Sequence, residues 1–128
     1  MQKWALVAAA LAGLTGAGGI ILAAVAGHLV TDPRLHAAAY HLIFHASATL
    51  AVCGVACALP RRGEWFLGAS ALFLSGSLLF SGELSLRALA GTGLFPLAAP
   101  VGAILLIAGW LVVTLAAVIA LRALRSPA

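Results

Sequence analysis

Formal charge is what this chain has least of: three acidic and seven basic side chains along 128 residues, 8% of the total. Soluble domains carry roughly 25%, because a fold in water needs a charged skin. So few charges cannot cover a domain of this size, and a water-soluble fold is excluded. Cysteine is scarce too. Cys53 and Cys57 stand four apart in an apolar run, a poor spacing for a disulfide between neighbouring helical turns and not the redox C-x-x-C motif; two buried apolar thiols are expected. Period-two alternation is missing from the apolar runs, which disfavours membrane strands. The glycine-rich stretch near Gly16 is followed by no Lys-Ser/Thr, so it is not a phosphate loop. No nucleophile–base pair or paired carboxylates appear, and an enzyme is not expected. Linkers, low-complexity tracts and clear repeats are absent as well, which predicts a single domain over 1–128.

What the chain has is hydrophobic length: 64% of its residues are apolar and its mean hydropathy is +1.17. Four apolar stretches, about 4–30, 34–59, 64–90 and 97–121, each exceed the roughly 20 residues that cross a ~30 Å hydrocarbon core as a helix. Local signals punctuate them. Asp32 is placed to cap the second helix with Pro33 in its first turn, and Pro60-Arg61-Arg62-Gly63 stops it. Gly91-Thr92-Gly93 ends the third. Pro96 precedes the fourth, and Pro100 falls in its first turn. The first stretch resembles a signal peptide, but its roughly 23 apolar residues outrun the usual h-region, so it is expected to stay and span. The expected fold is all-α, a four-helix transmembrane bundle.

A net charge of +4 and a pI near 10.1 would suggest nucleic acid in a soluble protein. Here the basic residues sit near segment ends with no interleaved aromatic stripe, and no nucleic-acid partner is expected. Lys3, Arg61, Arg62, Arg122 and Arg125 share one side, against Arg34 and Arg87 on the other. The positive-inside rule therefore puts both termini in the cytoplasm. Trp4 and Trp65 suit the interfaces, whereas Trp110 lies mid-span. Small-residue seams (Gly13, Gly16, Gly18, Gly19, Ala23 and Gly27; Gly68, Gly76 and Gly82 with Ser70, Ser77, Ser81 and Ser85; Gly102 and Gly109) are expected to bring the helices together. A homo-oligomer or a membrane-protein partner is expected, besides the bilayer itself.

The residues that lipid disfavours are His28, His36, His41, His45, Glu83 and Arg87. At 1.5 Å per residue, His41 and Glu83 both lie roughly 27 Å from the cytoplasmic helix ends, with the others close by. Unpaired charges there cost a few kcal/mol, so these groups are expected to meet one another in the outer half of the membrane. Three readings stay open. One is structural or accessory, with Glu83 pairing with Arg87 at i,i+4. Another is a metal or haem site on His41 and His45, completed by His28 or Glu83. The third is a small-ligand or proton-linked pocket, including small-solute transport. His41, His45, Thr49, Cys53 and Cys57 continue a stripe in steps of four, which drifts by roughly 160° around the helix.

Several short motifs resemble a known family of small four-helix inner-membrane proteins, domain-of-unknown-function family 423. They are Ala26-Gly27-His28, Tyr40-His41 followed by His45-Ala46, Phe80-Ser81-Gly82, Pro100-Val101-Gly102 and Gly109-Trp110. His41 stands where the family usually has glutamine, and Glu83 where it usually has serine, so this chain is the more ionisable. The resemblance implies a bacterial inner-membrane location, supplies no activity, and adds Tyr40 to the candidate residues.

Overall fold

The computed structural model describes residues 1–59 and 62–125. They form four helices: α1 (Gln2–His28), α2 (Pro33–Ala58), α3 (Gly63–Ala90) and α4 (Ala98–Arg125). All four are long and apolar enough to cross a membrane, and no strand occurs among the described residues. Helix α1 stops two residues short of the expected Val30, and α4 continues past Leu121 to Arg125. Pro60 and Arg61, expected to break the chain between α2 and α3, lie outside the described residues.

The termini follow local chemistry. Asp32 accepts the Arg34 backbone N–H at 2.8 Å and grips the Arg34 guanidinium with both oxygens, while Pro33 occupies the first turn. The side-chain bonds to Arg34, then its backbone N–H, hold the Asp32 carboxyl below its ordinary range. A carboxyl lowered in the folded state stabilises above its unfolded pKa and stops doing so as pH falls through the lowered value. This cap therefore persists at neutral pH and is released only in strong acid. Gly91 closes α3 at φ +70, the left-handed turn that glycine takes without a Cβ penalty.

The helices run up and down in chain order. Helix α2 packs on α1 and α3, α3 packs on α4, and α1 touches α3 more lightly. Thus α2 and α3 form the centre, with α1 and α4 flanking them and largely open to lipid. Phe66, Phe73, Val52, Ala56, Leu106 and Ala116 form the main core cluster. In lipid there is little hydrophobic drive between helices, so close backbone approach and interhelical hydrogen bonds must do this work. Ser81 provides one such bond: its buried hydroxyl donates to the Ala38 carbonyl across the α2–α3 interface at 2.9 Å. Ser81→Ala is expected to lower stability by about 0.6 kcal/mol, read by denaturant titration in bicelles.

The expected glycine seams are realised in part. Gly19 meets Ile43 and Leu42 of α2, Gly76 meets Leu106, and Gly102 and Gly109 meet Phe80 and Phe73 of α3. Gly13, Gly18, Gly27 and Gly68 face open space. The thiols divide in the same way. Cys53 is buried, but Cys57 is exposed, because a four-residue step drifts about 40° and the second cysteine has left the packed face.

Candidate functional site

The candidate polar residues do not form one cluster. His28 ends α1 exposed, and His36 is exposed on the first turns of α2. Glu83 is buried on α3, paired with Arg87 and accepting the Leu94 N–H of the α3–α4 connection. The Glu83–Arg87 pair is thus a loop anchor. His41 and His45 occupy a separate place on α2, and that place is a cleft.

The cleft opens between α2 and α4. It has a volume of about 300 Å³ and is lined by Tyr40, His41, Phe44, His45 and Trp110. A second hollow shares Tyr40, Phe44 and Trp110 and follows Ser47, Ala48 and Ala51 along α2. Residues 40, 41, 44 and 45 recur at helical spacing, so one face of α2 presents all four. Trp110 comes from α4, where Gly109 permits close approach: a Cβ there would lie 2.6 Å from the Phe73 ring.

Rings hold the site together. Phe73 and Trp110 have centroids 4.9 Å apart, Phe44 and Trp110 5.9 Å, and His45 lies 5.5 Å from Phe73 and 6.3 Å from Trp110. His41 tilts against Phe80 at 4.4 Å. Tilted and offset arrangements of this kind are favourable between aromatic quadrupoles. His45 is buried, and Tyr40 is exposed.

Each imidazole is oriented by its own helix. Nδ1 of His41 bonds the Ala37 carbonyl at 2.8 Å, and Nδ1 of His45 bonds the His41 carbonyl at 2.9 Å. The two rings stand 5.9 Å apart and nearly parallel, at 16°. Held by the same bond four residues apart, their Nε2 atoms are separated by roughly the 6 Å rise of that step. A shared zinc would need both nitrogens at ~2.0–2.1 Å, which this pose does not allow. Among the described residues no group of three His, Cys, Asp or Glu side chains could hold a metal ion. The metal candidates His28, His41, His45 and Glu83 are therefore not gathered.

Phe44, Phe73, Phe80 and Trp110 were absent from the residues expected at the site. Phenylalanine is unremarked in any membrane helix; only the Gly109-Trp110 pair and the position of Phe44 beside His45 hinted at a ring-lined wall.

No solved structure matches the chain. The inner membrane protein UPF0382 YgdD of Escherichia coli K12 is 37% identical over 78 residues, 60% of each chain, and the protein of the same name from Shigella flexneri is equally similar. The match thus spans about three-fifths of those relatives' length. The family described as "Protein of unknown function (DUF423)" matches residues 22–103, which include all of α2 and α3 with the Tyr40–His45 wall. On that match over most of its length, this four-helix transmembrane chain belongs to the DUF423 family.

Proposed function

We propose that the chain is a non-enzymatic inner-membrane protein that holds a small, flat, lipid-soluble molecule between α2 and α4. The observation that carries this reading is the cleft wall of Tyr40, His41, Phe44, His45 and Trp110. Apolar burial alone gives a ligand little when it comes from lipid. Ring contacts add about 0.5–1.5 kcal/mol each, and an imidazole nitrogen adds direction. The name of the similar bacterial proteins supports the inner membrane. The basic residues Lys3, Arg61, Arg62, Arg122 and Arg125 favour cytoplasmic termini, which would put the cleft in the outer half of the bilayer.

Trp110 is a built-in reporter. In a Trp4→Phe/Trp65→Phe background reconstituted in nanodiscs, its fluorescence is expected to change saturably on titration with 1-naphthol. The response should be lost in Phe44→Ala. A linear, non-saturating response that Phe44→Ala leaves unchanged would describe partitioning into lipid and defeat the proposal. A Soret band in the purified protein, lost in His41→Ala or His45→Ala, would favour haem ligation by one imidazole instead.

A further inference from the structure

The backbone fixes which proton each cleft imidazole carries. Carbonyl oxygens only accept hydrogen bonds, so the Nδ1 atoms facing the Ala37 and His41 carbonyls must be the protonated ones. In a neutral ring Nε2 is then left as a bare acceptor. His45 is only 6% exposed. No buried side-chain nitrogen or oxygen among the described residues lacks a partner, and Nε2 of His45, which has none, must therefore reach a surface. The surface that His45 lines is the cleft. His41, half-buried and oriented by the same bond, sets a second acceptor one turn away. The α2 wall of the cleft thus offers two aligned acceptors between aromatic faces.

We infer that the cleft selects lipid-soluble ring compounds bearing hydroxyl donors, phenols and hydroquinones, over their carbonyl or ether counterparts. This rests on the cleft being a ligand site. A hydroxyl donates to Nε2. A quinone carbonyl or an ether oxygen would set acceptor against acceptor and leave the nitrogen unsatisfied.

The test compares an alkyl-benzohydroquinone, its quinone and its dimethyl ether by Trp110 fluorescence, in the nanodisc background described above. The buffer is held at pH 8 under argon, where imidazole is ordinarily neutral. The hydroquinone is expected to bind about tenfold more tightly than either counterpart. His45→Phe keeps a ring beside Phe73 and Trp110 but removes the more buried of the two acceptors, and should narrow the gap between the three affinities. If His45→Phe does not fold, His41→Phe provides the same comparison and should shrink the preference. Equal saturable binding of all three by the unmodified protein would overturn the donor selectivity and leave the cleft as a ligand site. No saturable binding by any of them would overturn both.

Discussion

Glu83→Ala is expected to lower the melting temperature of the detergent-solubilised protein by roughly 10 °C, and Glu83→Gln by less than half of that. The Glu83 side chain is 2% exposed and Arg87 is 50% exposed, so the two ends of this ion pair are not equivalent. Released from Glu83, Arg87 can turn to water; the Leu94 N–H that donates to Glu83 has no such freedom. The loop backbone lies directly on the pair, since a Cβ at Gly93 would stand 2.5 Å from Oε1 of Glu83 and 2.8 Å from an Arg87 nitrogen. Leu97, at φ +70, occupies a left-handed conformation that leucine rarely adopts. Such strain persists only where the surroundings over-determine it, and three residues earlier in the same loop Leu94 is tied to Glu83. Glutamine keeps an oxygen for the Leu94 N–H and puts an amide NH2 where Arg87 had an acceptor, so only the half-exposed Arg87 is released to water, hence the smaller fall. Equal falls in the two variants would mean that the ion pair, not the loop amide, holds this end of the bundle. Thermal unfolding followed by circular dichroism separates the two outcomes.

The sequence carried depth but not direction. Four spans were legible because their lengths match the bilayer, and the Asp32-Pro33 and Gly91 signals marked ends because capping is local chemistry. The i,i+4 pairs His41–His45 and Glu83–Arg87 were legible on the same grounds. Which way each helix faces was not. In water a helix shows its buried side by its apolar stripe, but here the inward and lipid faces are both apolar. His41 and Glu83 could be placed at one depth, yet their rotation about α2 and α3 sends one to a ring-lined cleft and the other to a loop. Gly13, Gly18, Gly27 and Gly68 read as seam residues for the same reason, though open space lies beside each of them. Phe73 gave no signal, because phenylalanine suits lipid as well as a binding wall.

Gly102→Ala is expected to cost about 2–3 kcal/mol, whereas Gly68→Ala should be neutral or stabilise by up to about 1 kcal/mol. At Gly102 an added Cβ would lie 2.6 Å from the Phe80 nitrogen and 2.9 Å from its Cα. These are backbone atoms of a neighbouring helix, which no rotamer change can withdraw, so α4 must move off α3. At Gly68 nothing lies within 4 Å, and the better helix propensity of alanine is the only effect left. The displacement would not stay local. Gly102 and Gly109 are seven apart on one face of α4, and Gly109 seats Trp110 against Phe73. Lifting α4 at Gly102 should therefore loosen Trp110 from the rings of Phe73, Phe44 and His45. Saturable ligand binding should weaken together with stability. Denaturant titration of both variants in bicelles, paired with Trp110 fluorescence, reads the two effects in one sample. If Gly102→Ala unfolds no more readily than Gly68→Ala, α4 is not docked on α3 through this glycine, and the cleft that depends on that docking is lost with it.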